Sequence, residues 1–220
     1  MKKLALISVC LVLSILFLTG CADGETYAPR QYTADGTQIS EINIDVRDRQ
    51  IEILPSNDDQ IYVDYFESGK EFYQIDVSED HVLTITSVQN KKWTDFIGGK
   101  APLDCRIISL KLPNDLLTKL TVSTTNEDIS VSRLNAVDEI SLSVNSGNII
   151  FDGLDAHIAI ALTAKNGDIS GTMASSIDDY AISCDLKKSE SNLPAEETHG
   201  SKALMISNNN GNVNIQFSDQ

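Results

Sequence analysis

The sequence predicts an all-β protein whose strands stack as a β-solenoid, because a twenty-residue unit repeats three times without a gap. The units are TVSTTNEDISVSRLNAVDEI (121–140), SLSVNSGNIIFDGLDAHIAI (141–160) and ALTAKNGDISGTMASSIDDY (161–180). Within each unit, apolar and polar residues alternate around an Asn/Gly/Asp turn, as they do in two strands joined by a turn. A unit of this size cannot bury its apolar face alone, so each one is expected to stack on the next.

Three columns of apolar residues recur at this spacing and are expected to face inward. They are Leu120, Ile140, Ile160 and Tyr180; Val122, Leu142, Leu162 and Ile182; and Ile129, Ile149 and Ile169. Cys184 would continue a fourth inward column, whereas Cys105 falls on the outward face of a preceding strand. The sequence leaves open whether these two cysteines pair or remain free thiols.

The first twenty residues have the form of a cleaved signal. Lys2 and Lys3 precede an apolar run at 4–17 that is too short for a comfortable bilayer span. The Leu-Thr-Gly-Cys ending at 18–21 resembles the bacterial lipobox. That resemblance implies cleavage before Cys21 and attachment of lipid (diacylglycerol and palmitate) to this cysteine, and an ordinary secretory signal is the alternative. We therefore expect anchoring at the extracytoplasmic face of the cell membrane without a membrane span.

Three parts are expected along the chain. Residues 1–20 are the lipoprotein signal peptide, and residues 21–38, which are polar and contain Pro29, are a flexible tether. Residues 39–220 form the β-solenoid domain. No long helical pattern of apolar residues follows the signal.

The expected strands follow in order along this domain. Early strands surround Ile42–Val46, Ile51–Ile53 and Ile61–Val63, with a turn at Asn57-Asp58-Asp59, and a hairpin follows at 72–77 and 82–88. The pattern breaks at 91–102 and resumes at 107–112. Regular coils run from 120 to about 184, an exposed loop is expected at 185–201, and a last coil occupies 204–217. Because Gly211 lies 44 residues after Gly167, we expect this loop to leave the register of the stack unchanged.

The charge of the chain excludes one class of partner. The chain has 32 acidic and 17 basic residues, a formal net charge of −15. Removal of the signal leaves 17 − 2 = 15 basic residues, and the balance becomes −17. Nucleic-acid binding needs clustered cations, so it is not expected. The expected partners are the membrane, through the N-terminal lipid, and an unidentified polymer or protein of the cell envelope.

Several spaced motifs resemble one known family. The run Leu110-Lys-Leu-Pro113, the following L-x-V-x-T-x-N-x-D-I segment, the repeated N-G-D-I-type turns and the segment IEILPSNDDQIYVDY (51–65) are similar to the bacterial β-strand-repeat domain called "putative adhesin". The resemblance covers about residues 40–218 and implies a right-handed β-helix-like stack without established catalytic residues. The chain departs from the pattern at Glu127, which replaces the turn glycine, and in its fourth coil.

The polar turn positions are a first candidate site. They are Asn126, Ser146, Asn166 and Asn210; Glu127, Gly147, Gly167 and Gly211; and Asp128, Asn148, Asp168 and Asn212. Stacked oxygens could hold Ca²⁺, but the same residues are what tight turns require. We favour the structural ladder, and expect no metal site and no cofactor.

Catalysis has little support in the sequence. The histidines, His81, His157 and His199, fall in unrelated segments without a nucleophile motif. The acidic pairs Asp58/Asp59 and Asp178/Asp179 could mimic glycan-cleaving carboxylates, but adjacent strand residues point to opposite faces.

The favoured contact site is the segment KKWTDFIGGK at 91–100, which contains the single Trp of the chain. Its candidate residues are Lys91, Lys92, Trp93, Phe96 and Lys100. Basic and aromatic side chains on a loop suit an anionic polymer or a protein partner. The structural interpretation, to which we give somewhat more weight, is that Trp93 and Phe96 cap the open end of the solenoid.

These observations favour a non-enzymatic, membrane-tethered surface lipoprotein that acts as an adhesin-like interaction scaffold at the cell envelope. The alternative is an enzyme that acts on envelope glycans through a carboxylate cleft on a β-helix. A solute-binding lipoprotein is disfavoured, because such proteins need two lobes and a hinge.

Overall fold

The computed structural model of the protein describes residues 25–91, 100–113, 116–134 and 137–218. Within these ranges the strands are β1 (Ala28–Asp35), β2 (Glu41–Asp45), β3 (Gln50–Pro55), β4 (Gln60–Glu67), β5 (Glu71–Val77), β6 (Val82–Gln89), β7 (Ile107–Leu112), β8 (Leu117–Thr124), β9 (Ile129–Ser132), β10 (Val137–Val144), β11 (Ile149–Leu154), β12 (Ala159–Asn166), β13 (Ile169–Met173), β14 (Tyr180–Ser191), β15 (Glu196–Glu197) and β16 (Lys202–Phe217). Short 3-10 helices lie at Gly36–Gln38, Leu103–Arg106 and Ile177–Asp179. In this part of the chain, no helix has the length and apolar character needed to cross a bilayer.

The strands form two faces of one stack, as predicted for a β-solenoid. The first face runs in the order β1, β4, β7, β3, β9, β11, β13 and the C-terminal half of β16. The second face runs β5, β6, β2, β8, β10, β12 and the N-terminal half of β16. Strand β14 pairs with β16 on its outer side. Strands β1 and β5 therefore mark one end of the stack, and β14 marks the other.

The inward columns of the three regular repeats are confirmed. Ile140 pairs in parallel register with Leu120 and with Ile160. Ile149 pairs in the same way with Ile129 and Ile169. All of these side chains are buried, since parallel strands at a twenty-residue spacing place equivalent residues directly above one another.

The coils at both ends of the repeat are stacked out of sequence order. The coil formed by β2 and β3 lies between the β6–β7 coil and the β8–β9 coil. At the other end, β16 lies between the β12–β13 coil and β14. Leu204 pairs with Ile160 on one side and with Ile182 on the other. The expectation that Tyr180 and Ile182 directly follow Ile160 and Leu162 is therefore wrong.

The same arrangement corrects the predicted loop at 185–201. Residues 185–191 belong to β14, the outermost strand of this end, and β15 covers β14 only at Ile182 and Ser183. Cys184 pairs with Ile206, which lies in the column of Leu162 rather than that of Ala164. The prediction that the insertion leaves the register unchanged at Gly211 is confirmed. Asn210, the residue before Gly211, pairs with Asn166, the residue before Gly167.

The two cysteines of the described chain are both free and only partly buried. Cys105 lies in the 3-10 helix before β7, rather than on a strand as expected. Cys184 lies in β14, at the opposite end of the stack. The coils between them separate the two thiols by several strand spacings of about 4.8 Å, which is too far for a disulfide.

Order begins earlier than the sequence suggested. Residues 28–35, which were expected to belong to a flexible tether, form β1 and pair along their whole length with β4. Gly36–Gln38 then make a 3-10 helix whose N-cap, Asp35, accepts a hydrogen bond from the Thr37 amide. The predicted tether at 21–38 is therefore wrong from residue 28 onward.

The turn glycines are required by close approach between coils. A Cβ atom on Gly167 would lie 2.0 Å from the Gly147 carbonyl oxygen, and one on Gly211 would lie 2.1 Å from the Gly167 carbonyl oxygen. Gly211 also has a φ of +144°, which residues with a side chain rarely adopt. Backbone thus packs directly on backbone at this corner of each coil.

The inward register can be tested with two neighbouring isoleucines. Ile149 is fully buried between coils, whereas Ile150 points outward and is 44% exposed. We expect Ile149→Ala to open a cavity and lower the free energy of unfolding by about 2–5 kcal/mol, and Ile150→Ala to lower it by only about 0.5–1 kcal/mol. Equal losses in urea denaturation would contradict the register.

Candidate functional site

The base of the 91–100 loop is the part of the predicted contact site that the structure describes. Lys92, Trp93 and Phe96 lie outside the described residues, whereas Lys91 and Lys100 lie within them. Lys91 follows β6, and Lys100 precedes the 3-10 helix at Leu103–Arg106, which packs against β4. Both ends of the loop therefore lie near the β1/β5 end of the stack.

Lys91 belongs to a buried polar network centred on Glu71. The Glu71 carboxylate accepts hydrogen bonds from the Tyr27 hydroxyl at 2.5 Å and from Arg49 Nη2 at 2.9 Å, and it forms an ion pair with Lys91 Nζ. Arg49 also donates to the Tyr73 hydroxyl at 2.6 Å. Since the side chains of Lys91 and Glu71 are only 8% and 6% exposed, Lys91 is an internal anchor of the fold.

The environment of Glu71 keeps this network charged at neutral pH. Burial alone would raise the pKa of Glu71, but the hydrogen bonds from Lys91, Tyr27 and Arg49 outweigh burial and lower it. Burial and the bond to Glu71 raise the pKa of Tyr27, so its hydroxyl remains a donor. A lowered carboxyl pKa stabilises the fold above the unfolded value of about 4.3, and this contribution is lost as the pH falls through the folded pKa.

The other end of the loop is held by a second, more exposed group of charges. Lys100 Nζ lies 3.3 Å from Asp48 Oδ1 and 3.4 Å from Glu127 Oε1, and the Arg106 guanidinium also binds Glu127. Burial would raise the pKa of Asp48, but hydrogen bonds from Asn126 and Lys100 lower it. Glu127, the residue that replaces the turn glycine, is therefore an acceptor for two cations from the loop region.

These contacts change how the loop is interpreted. The sequence showed a basic cluster, but the structure pairs Lys91 and Lys100 with Glu71, Asp48 and Glu127. Each of these acids lies at least twenty residues from its lysine partner in the sequence. The only sequence feature that marked any of them was the replacement of the turn glycine by Glu127. Lys91 and Lys100 hold the ends of the loop to the stack, so an anion-binding role would fall to Lys92 and its aromatic neighbours.

The polar turn column forms a hydrogen-bond ladder between coils. The Asp128 carboxylate accepts from the Asn148 amide at 2.7 Å, Asn148 Oδ1 from the Asp168 amide at 2.9 Å, and Asp168 Oδ1 from the Asn212 amide at 2.8 Å. Each side-chain oxygen thus reaches the backbone of the next coil in the stack. In the described ranges, no group of three or more His, Cys, Asp or Glu residues is placed to hold a metal ion.

The other titratable candidates make local contacts in separate turns. Asp58 accepts hydrogen bonds from Ser56, from the Gln60 amide and from Tyr62, and Asp179 completes a capping box with Ser176. The histidines lie in three different connections: His81 bonds the Gln38 carbonyl, His157 contacts Asp138 and His199 contacts Glu197. The structure does not bring these groups together.

A polar cluster that the sequence did not reveal lies near the other end of the stack. Asp155 accepts hydrogen bonds from Lys202 Nζ at 2.8 Å, from Ser175 Oγ at 2.6 Å and from the Tyr180 hydroxyl at 2.6 Å. Burial opposes ionisation of Asp155, but these donors outweigh burial and lower its pKa. The cluster ties the start of β16 to the preceding two coils, and this fixes the position of the inserted strand.

The outer side of the second face has two neighbouring columns in which six of eight side chains carry a hydroxyl group. On the second face, two outward columns are in register: Thr121, Ser141, Ala161 and Met205; and Ser123, Ser143, Thr163 and Ser207. We call these eight residues the hydroxyl face. A shallow trough of about 330 Å³ runs along the first of these two columns, and Lys119, Glu139 and Ala159 also line it.

Comparison with known proteins identifies the fold. The family model for Toastrack DUF4097 domains matches residues 39–220. A crystal structure of a "putative cell adhesion protein" from Clostridium sporogenes ATCC 15579 is similar with a TM-score of 0.60 and 11% sequence identity, covering 86% of this chain and all of that one. A "putative adhesin" from Bacteroides fragilis NCTC 9343 gives a TM-score of 0.36 at 11% identity, covering 90% of this chain and all of that one. No curated protein matches the chain.

The anchoring role of Glu71 can be tested against a neighbouring glutamate. Glu71→Gln removes the charge that Arg49 and Lys91 share, so we expect a loss of about 3–5 kcal/mol in the free energy of unfolding. Glu67 forms a more exposed ion pair with Arg30, and Glu67→Gln should cost about 0–1 kcal/mol. Similar losses in urea melts would mean that the Glu71 network does not hold this end of the stack.

Proposed function

The chain belongs to the Toastrack DUF4097 family, and we propose that it is a lipid-anchored, non-enzymatic surface protein that acts as an interaction scaffold at the cell envelope. The observation that carries this proposal is the hydroxyl face. Equivalent side chains on it recur at the strand spacing of about 4.8 Å over successive coils. Such a surface favours contact with an extended partner rather than enclosure of a small ligand in a pocket.

The charge distribution supports contact through this face. The mature chain has a formal balance of 15 basic against 32 acidic residues. The eight residues of the hydroxyl face are uncharged, and Asp45 and Asp185 continue one of its columns at the two ends. The flanking charges Lys119 and Glu139 lie 3.7 Å apart and partly offset each other. A partner that is itself anionic, as many envelope polymers are, would meet less repulsion here than on the acidic remainder of the surface.

The 91–100 loop offers a second contact element at the β1/β5 end. Its two terminal residues, Lys91 and Lys100, are held in place by ion pairs with carboxylates of the stack. Trp93 would supply a large amphipathic surface, and Lys92 a positive charge. The alternative that Trp93 and Phe96 cap the core predicts a loss of stability, rather than a loss of binding, when they are replaced.

The comparisons are compatible with this role. The Clostridium protein that shares the fold is described as a "putative cell adhesion protein", and an adhesion role for this chain is part of our proposal. Glycan cleavage remains the second candidate. For catalysis, carboxylates would have to converge on one side of the stack. Instead, Asp58, Asp155 and Asp179 accept hydrogen bonds from the Tyr62 hydroxyl, the Tyr180 hydroxyl and the Ser176 amide, respectively.

The proposal can be tested by co-sedimentation of a lipid-free protein with isolated cell envelopes. Cys21→Ser should move the protein from the membrane to the soluble fraction and provide this form. We expect it to bind envelopes. Ser143→Glu with Ser207→Glu on the hydroxyl face should weaken binding several-fold, because the added carboxylates would repel an anionic partner. The matched control is Ser130→Glu with Ser170→Glu, two serines at the same relative spacing on the opposite face.

The outcomes separate the alternatives. Equal binding by the two double variants would exclude the hydroxyl face, and sedimentation no greater than that of an unrelated acidic protein would exclude the scaffold role. Replacement of Lys92, Trp93 and Phe96 by Ala should weaken binding with unchanged circular dichroism if the loop makes contact. Release of soluble sugar from the envelopes would instead support the glycan-cleaving alternative.

A further inference from the structure

The N-terminal segment is fastened to one end of the stack before β1 begins. Glu25 accepts hydrogen bonds from the Ser68 hydroxyl and, at 3.0 Å, from the Lys70 amide, both in the turn between β4 and β5. Two residues later, the Tyr27 hydroxyl binds buried Glu71. From Glu25 onward, this segment therefore follows the end of the stack.

The attachment is extensive enough to persist in the native state. All eight residues of β1 pair with β4, and Glu71 is 5% exposed with Arg49 and Lys91 as its further partners. Release of Tyr27 would remove one hydrogen-bond donor from the buried Glu71 carboxylate, and this loss would cost free energy. Local opening that starts at the terminus must therefore disrupt both this contact and the β1–β4 ladder.

We infer that the end of the stack formed by β1, β5 and the 68–70 turn faces the lipid bilayer. This inference rests on the proposed lipid anchor at Cys21. Only three residues, 22–24, separate that cysteine from Glu25, and the four residue steps from Cys21 to Glu25 span at most about 14 Å even when fully extended. The covalent lipid thus holds the β1/β5 end against the headgroup region.

The surface composition of this end fits a lipid neighbour. Among the residues that the structure describes at this end, three large apolar side chains remain exposed: Phe72 at 37%, Val77 at 44% and Leu103 at 70%. Phe72 and Val77 belong to the terminal strand β5, and Leu103 belongs to the 3-10 helix that packs on β4. Apolar side chains at the headgroup boundary gain by leaving water.

The orientation determines what the other end can reach. Seven strand spacings separate β5 from β14 along the second face, which is about 34 Å at about 4.8 Å each. Strand β14 is thereby directed away from the bilayer, and the hydroxyl face runs between the two ends. A partner of the envelope would meet β14 and the outer coils before it meets the lipid surface.

The orientation can be measured by fluorescence quenching on vesicles. The full lipidated protein, with Cys105→Ser and Cys184→Ala, would be labelled at Gly69→Cys or at Lys187→Cys. The space around a Cβ at Gly69 is open, and Lys187 is an exposed residue of β14. On phosphatidylcholine vesicles with nitroxide-labelled headgroups, we expect quenching at position 69 to be several-fold stronger than at position 187.

A tether variant tests whether the short linker imposes this orientation. Insertion of sixteen Gly/Ser residues between Asp23 and Gly24 adds a root-mean-square reach of about 22 Å, and it should abolish most of the difference between the two labels. Equal quenching at both positions of the protein with its native linker would overturn the inference, as would stronger quenching at 187. Failure of the lipidated protein to float with vesicles would instead refute the lipid anchor itself, and the inferred orientation with it.

Discussion

Direct backbone contact between successive turns is the constraint on which the rest of the stack depends. At Gly167 and Gly211, the carbonyl of one coil occupies the place that a Cβ of the next coil would need. This approach brings the Asp128 and Asp168 oxygens within reach of the next coil's amides. The turn therefore sets the register of the strands that leave it, and the register places the apolar columns in the interior.

The sequence predicts the repeating part of this fold because the turn residues and the apolar columns recur there at the same twenty-residue spacing. It misplaces the C-terminal coils because periodicity identifies inward residues without identifying their neighbours: Ile182 and Leu204 fit the same column equally well. The deciding feature is the turn. Strand β16 carries Asn210 and Gly211, which match Asn166 and Gly167, whereas β14 carries Lys188 and Ser189. Only β16 supplies the glycine that close approach to Gly167 requires, so it is inserted and β14 becomes the outer strand.

The candidate site was predicted less completely, for a related reason. The 91–100 segment is recognisable from its lysines and aromatic residues, but the partners of Lys91 and Lys100 depend on which coils are neighbours. Arg49 reaches Glu71 only because the β2–β3 coil is inserted next to the β6–β7 coil. The N-terminal attachment escaped prediction because β1 is an edge strand with a proline and a largely polar sequence. Under the proposed lipid anchor at Cys21, the same attachment would give the molecule a defined lipid-facing end and would direct β14 away from the bilayer.

Native-state hydrogen exchange can test the order of the coils in the stack. If β16 lies between the β12–β13 coil and β14, its amides at 204–206 should exchange as slowly as those of Leu142 and Leu162, through global unfolding only. The amides of β14 at 185–191 and those of β5 should exchange faster, because these strands lie at the ends of the stack. Slow exchange in β14 together with fast exchange throughout β16 would contradict the inserted position of β16 and restore a stack in sequence order.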